Sequence, residues 1–206
     1  MQGYTTMGSE IVEQLKEIRP THIFLQAGVG AMAGAMTGFF ANYYDEEVGA
    51  GPKIVIVEPD KADCIYQIPN LYQWVVIDPQ NETTFQQADG DLDSIMAGLC
   101  CGEPCTIGWR VLKSRADAFI SMSDEFAARG MRILGNPTGS DTRVIAGESG
   151  AATLGFAASV MMEESLIELK ELLELNEDSR VLCISTEGAT DLAGYRKIVW
   201  DGAVHF

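Results

Sequence analysis

Short β-branched runs alternate with helix-length stretches from one end of this chain to the other, and that alternation restricts the fold more than any other feature. A strand, a helix and a second strand in succession are the unit of a parallel sheet. The expected fold is therefore α/β, a mostly parallel sheet with helices on both faces. With 206 residues, 47% of them hydrophobic, the chain can bury one sizeable core, so it should form one domain or most of one.

Ser9 followed by Ile11, Val12, Leu15 and Ile18 predicts a helix capped by the serine and ended by Pro20. "HIFLQ" (22–26) predicts a buried strand, residues 30–44 a helix, and "KIVIVE" (53–58) the clearest strand of the chain. Further strands are expected at Trp74 to Ile77, Ala118 to Met122 and "VLCIS" (181–185). Helices are expected around Gly108 to Arg115, from Ser123 to about Arg129, from Ser149 to Met162, and from Glu164 to Leu175. The last should bury Leu166, Leu169, Leu172 and Leu173. "GNPTGSD" (135–141) and "TEGATD" (186–191) read as loops, and residues 65–93 as an irregular polar excursion. A helix precedes the first strand, as though the chain joined a sheet already begun.

The balance of 14 basic against 30 acidic residues gives a net charge of −16. Such a chain repels nucleic-acid backbones and anionic membranes, so neither is an expected partner. No basic segment precedes an apolar core in "MQGYTTMGSE", which predicts no secretory signal, and the apolar stretch from Ala27 to Ala41 is too short to span a bilayer. The expected location is the cytoplasm. There Cys64, Cys100, Cys101, Cys105 and Cys183 read as reduced thiols, and "CCGEPC" lacks zinc-ligand spacing, so no metal site is expected.

"LQAGVGAMAG" (25–34) places glycines between a strand and a small-residue helix. Gly28 and Gly30 can take backbone angles closed to other residues, leaving amides at a helix N-terminus to bind an anion, whereas Gly34 and Gly38 suit close helix packing. Locally the loop fits two ligands. A dinucleotide would use the G-x-G turn with Glu58, at the end of the next strand, on the ribose, while a phosphorylated pyridine cofactor would use the amides alone. The spacing does not separate them.

Six motifs in order, "LQAGVGAMAG", "VEPDKADCIY", "IMAGLCCGEP", "GMRILGNPTGSD", "AGESGA" and "ISTEGATD", resemble the diaminopropionate ammonia-lyases. These are pyridoxal-phosphate enzymes of the tryptophan synthase β-like fold, fold type II. The resemblance runs from Met1 to about Gly202 and implies that the whole chain, residues 1–206, is the C-terminal part of such a lyase, with an incomplete fold. It implies pyridoxal 5'-phosphate as cofactor, its phosphate on the amides of Gly28, Val29, Gly30, Ala31 and Met32. It also implies that Ser185 or Thr186 faces the pyridine nitrogen and that Glu148 is a carboxylate close to the ring. Asp60, Lys61 and Asp63 would shape the loop after the second strand.

The implied reaction eliminates ammonia from 2,3-diaminopropionate, a small amino-acid substrate, and yields pyruvate with a second ammonia, a step of amino-acid catabolism. The family draws its cofactor-holding lysine and its base from the N-terminal half of a longer chain. Here Lys16, Lys53, Lys61, Lys113, Lys170 and Lys197 all stand in charged or amphipathic settings, and Lys113 in "VLKSRAD" follows the glycine loop instead of preceding it. The chain is thus expected to carry no catalytic residue, to need the missing N-terminal half as partner, and to form a homo-oligomer, as a dimer. Two alternatives stand beside this reading: a non-catalytic domain that binds phosphate or a partner, and an NAD-binding oxidoreductase.

Overall fold

The computed structural model describes residues 1–45, 51–66, 74–76 and 91–204. Helix α1 (Thr5–Leu15) leads into strand β1 (His22–Gln26), followed by α2 (Ala31–Asp45), β2 (Lys53–Pro59) and the short β3 (Trp74–Val76). Then come α3 (Thr106–Arg115), β4 (Ala118–Met122), α4 (Asp124–Gly135), α5 (Glu148–Met162), α6 (Ile167–Leu172), β5 (Val181–Cys183) and α7 (Leu192–Val199).

The strands form one sheet in the order β3-β4-β2-β1-β5. β1 pairs in parallel with β2, Phe24 opposite Val55, and with β5, Phe24 opposite Cys183. β2 pairs in parallel with β4, while β3 runs antiparallel to β4 at the edge, Val75 opposite Phe119. All five residues of β1 are buried, because helices cover both faces and neither side of a central parallel strand meets water.

Alternate side chains divide the core in two. Phe24, Val55, Val57, Ala118 and Ile120 pack against Ala152, Phe156 and Val160 of α5 and Leu169 of α6. Ile23, Leu25, Ile54, Ile56 and Phe119 pack against Met36 and Phe40 of α2 and Trp109 and Leu112 of α3. A smaller cluster joins Ala128 and Met131 of α4 to Tyr195 and Ile198 of α7.

Several expectations are corrected. Ser9 does not cap α1, which starts at Thr5 behind a 3-10 turn (Gln2–Tyr4); its hydroxyl lies inside the helix and donates to the Thr5 carbonyl at 3.2 Å. The helix ends at Leu15 because Lys16 turns to φ +53°, which leaves Ile18 59% exposed. α4 runs past Arg129 to Gly135, since Met131 and Gly135 continue its buried face. The stretch 164–175 holds a 3-10 turn (Glu164–Leu166) and only six residues of α6. Leu166, Leu169 and Leu173 are buried there, but Leu172, at the far edge of that stripe, is 46% exposed. β5 stops at Cys183, short of Ser185.

α7 is not among the helices that the sequence pattern predicts. Asp191 caps it, its carboxylate accepting from the Ala193 amide at 3.0 Å, and Tyr195 and Ile198 are its buried residues. Of the excursion at 65–93, Ile65 and Tyr66 are buried or half-buried, Trp74 to Val76 form β3, and residues 67–73 and 77–90 lie outside the described residues.

Candidate functional site

β1 ends at Gln26, and the chain turns through residues 27–30 into α2. At Gly28 a Cβ would fall 3.1 Å from the Leu99 carbonyl oxygen and from the Cys101 sulfur, so a side chain there would press residues 99–101 back by a few tenths of an ångström. Gly30 has φ +78°, the left-handed region, and a Cβ there would come within 2.7 Å of Ile65 Cδ1. Both glycines therefore permit one tight turn that aims the following amides outward.

The first of those amides to find an acceptor is Gly34, which donates to the Gly30 carbonyl at 2.8 Å. Among the described residues the N–H groups of residues 29–33 have none. Unpaired amides at the N-terminus of a fifteen-residue helix carry its positive end, an arrangement suited to an anion.

A cavity of about 350 Å³ opens on these amides. Gly28, Val29, Gly30, Ala31, Met32 and Thr186 all line it, together with Gln26, Gly98, Leu99 and Cys101. Among the described residues no Lys, Arg or His lines it. Ser185 and Glu148 are not on its wall either. The Ser185 hydroxyl lies beside Gly150 at the start of α5, 3.1 Å from where a Cβ would stand. Glu148 is the first residue of α5 and half-buried, with Oε1 directed toward Gly194 of α7. Burial first, then Glu187 and Asp191, raise its carboxyl above the ordinary range.

Gln26 was not among the residues picked out by sequence. Its side chain is 1% exposed, and Nε2 donates to the Ile184 carbonyl at 2.8 Å and to the Thr186 hydroxyl at 2.9 Å, while Oε1 has no partner. An amide directly after the apolar run Ile23 to Leu25 and before the glycine loop is the signal that could have found it.

Glu58 does not face the cavity. Its buried carboxylate accepts from the Ile65 amide at 3.0 Å and the Tyr66 amide at 2.8 Å, so both oxygens tie down the turn after β2 and neither is free for a ribose. Asp63 supports the same turn by accepting from the Ser121 hydroxyl at 2.7 Å. Asp60 donates its amide to the Met122 carbonyl, and Lys61 is exposed. The six lysines are exposed or half-buried, Lys53 pairs with Glu174 at 2.8 Å, and none lines the cavity. His22 is held by the Leu173 carbonyl and the Thr21 hydroxyl.

The cavity tests well against a phosphorylated pyridine. Outward amides suit a phosphate dianion without a basic side chain, and the volume is within the range of small-cofactor sites. The profile of the pyridoxal-phosphate dependent enzymes matches residues 1–187. The chain belongs to this family. Its sequence is 49% identical over 204 residues to the diaminopropionate ammonia-lyase of Escherichia coli strain K12, covering 98% of this chain and 48% of that protein.

Among solved structures, the E. coli diaminopropionate ammonia lyase in complex with an aminoacrylate-PLP azomethine reaction intermediate matches at a TM-score of 0.81 and 43% identity, over 99% of this chain and 49% of that one. Threonine deaminase isoform 2 of Solanum lycopersicum matches at 0.70 with 17% identity, over 95% of this chain and 48% of that one, a likeness of fold alone. The fold is thus the type II fold of pyridoxal-phosphate enzymes, in part, and the family cofactor is pyridoxal 5'-phosphate. The chain spans about half the length of the relatives it matches. Among the described residues no helix is long and apolar enough to cross a membrane.

Proposed function

We propose that this chain is the phosphate-binding, C-terminal part of a pyridoxal-phosphate-dependent ammonia-lyase that converts 2,3-diaminopropionate to pyruvate and ammonia, inactive without an N-terminal half. The observation that carries it is the set of outward amides at the start of α2, on the wall of one cavity with Thr186. The amides of Gly28, Val29, Gly30, Ala31 and Met32 bind and orient the phosphate. Of the two hydroxyls proposed for the pyridine nitrogen, the cavity favours Thr186 over Ser185. Glu148 lies off the cavity wall with its Oε1 toward the first turn of α7, so a role beside the ring is the least supported of these assignments. When bound, the cofactor supplies an electron sink for charge at the substrate's α-carbon.

The holding lysine and the α-proton base come from the N-terminal half, a reading supported by relatives about twice as long and by a cavity without lysine. The working protein is a homo-oligomer, a dimer in the simplest case, in the cytoplasm, and serves amino-acid catabolism. The absence of lysine from the cavity also favours a second reading, a phosphate-binding domain without catalysis.

Pyruvate formation from 2,3-diaminopropionate, measured with and without a co-expressed N-terminal half, distinguishes the two. Activity restored by the half supports the lyase, and continued silence supports the binding domain. Turnover by the lone chain, or a borohydride-reduced cofactor adduct on Lys113, overturns the placement of catalysis in the other half.

A further inference from the structure

Thr186 is exposed, and a lone hydroxyl on a cavity wall can donate or accept by turning its proton. Here the choice is made by its neighbour. Ile184 offers Gln26 a carbonyl oxygen at 2.8 Å, which only accepts, so the amide group facing it has to be Nε2. The same Nε2 lies 2.9 Å from Thr186 Oγ1, and an amide nitrogen only donates. One lone pair of the Thr186 hydroxyl is therefore occupied, and its proton is left for a group in the cavity.

We infer that Gln26 is a positioning residue that holds the Thr186 hydroxyl as a donor toward the cavity, so that the ring nitrogen of a bound pyridine cofactor is kept unprotonated. This rests on the pyridine reading of the cavity and adds to it the direction of one hydrogen bond. Packing alone does not account for Gln26. Its side chain is buried at the end of an apolar strand with Oε1 unpartnered, a position that an apolar residue of similar size would occupy without an orphan oxygen. The amide is retained for its donor side.

The direction matters chemically. An unprotonated pyridine withdraws less charge from the substrate than a pyridinium does, which favours rapid loss of a leaving group over reprotonation at the α-carbon. A hydroxyl free to turn would bind either form of the ring.

The test uses pyridoxine 5'-phosphate, whose ring nitrogen can be titrated by its ultraviolet spectrum and which requires no lysine for binding. With the 206-residue chain, the bound probe's nitrogen should titrate below that of the free probe. Gln26→Met, which keeps the volume and removes the donor, should raise that titration by about one pH unit, the scale of one hydrogen bond to a charge-changing group. Gln26→Glu should raise it further, because a carboxylate accepts the Thr186 proton and turns a lone pair to the cavity. It also serves if the Met variant does not fold. Thr186→Ser should retain the original titration, and in a Thr186→Val background Gln26→Met should produce no shift.

A probe that binds both forms with the same titration overturns the role of Gln26 and leaves the cavity reading standing. A shift that survives in the Thr186→Val background does the same. Failure of the unaltered chain to bind the probe, with inorganic phosphate as competitor for the amides, overturns the pyridine reading and this inference together.

Discussion

Gly155 of α5 lies against Gly130 of α4 so closely that a Cβ on Gly155 would stand 2.7 Å from the Gly130 amide nitrogen and collide with the Phe126 carbonyl oxygen. Every atom in the way belongs to backbone, so relief requires the two helices to move apart. Gly155→Ala should cost about 3 kcal/mol, the upper end of ordinary overpacking. Gly3→Ala, where a Cβ meets nothing within 4 Å, should change stability by less than about 0.5 kcal/mol. Urea denaturation of the two variants checks the difference.

Glu58 should make stability depend on pH. Burial raises its carboxyl well above the ordinary glutamate range, with Asp63 adding to the rise and the Ile65 and Tyr66 amides opposing it. A carboxyl raised in the native state binds its proton more tightly when folded, so its contribution is complete below the unfolded value and is lost as pH rises through the native one. Stability should therefore fall from about pH 4.5 upward through this group. Glu58→Gln should flatten that slope yet lower stability at pH 7 by about 1–3 kcal/mol, because its NH2 then faces a backbone N–H. Thermal melts of both proteins between pH 4 and 8 would show a parallel slope if another group were responsible.

The proposed anion site can be separated from packing at Ala31. Proline is tolerated in the first turn of a helix, and Ala31 is the first residue of α2, so Ala31→Pro removes one outward N–H with little strain. Phosphate or cofactor binding, followed by calorimetry, should weaken by about 10-fold or more, as expected for one hydrogen bond to a charged group, while the melting temperature stays within a few degrees. Gly30→Val should behave differently: its φ of +78° and its contact with Ile65 make it costly to stability and binding alike.

Cys64 should resist alkylation in the folded protein. It is wholly buried, and burial, with Glu58 and Cys101 beside it, pushes its thiol up to about 12. The thiolate is the reactive form, so iodoacetamide at pH 8 should first modify the partly exposed Cys100, Cys101 and Cys105. Cys64 should become labelled only after denaturation, as peptide mass mapping would reveal.

Long elements were legible because each carries its own period. "HIFLQ" and "KIVIVE" each hold a continuous apolar run, "IFL" and "IVIV", and the α5 stretch is unbroken alanine-rich helix, so their positions came out within a residue or so. The α6 region was misjudged because a leucine every third or fourth residue does not show where the backbone departs from helix, and here Glu174 turns to φ +59°. α7 was missed because "LAGYRKIV" follows a loop motif and has only Tyr195 and Ile198 to bury. Of the candidate site, the glycine loop was visible as composition, whereas Gln26 looked like the polar end of a strand.

By itself the sequence determined what depends on neighbours along the chain: the strands and most helices, the turn that frees the amides of α2, and the family, through motifs that keep their order. Tertiary structure decided what depends on groups far apart in the chain. Thr186 meets Gln26 across 160 positions only because β5 pairs with β1, and that pairing, not local propensity, brings a hydroxyl to the wall of the cavity. Glu58 shows the same division, since its identity was readable as an acid at a strand end but its two oxygens were assigned only when the chain folded Ile65 and Tyr66 back onto them. Strand pairing and burial are long-range properties, and a buried polar group takes its role from whichever partner the fold places within reach.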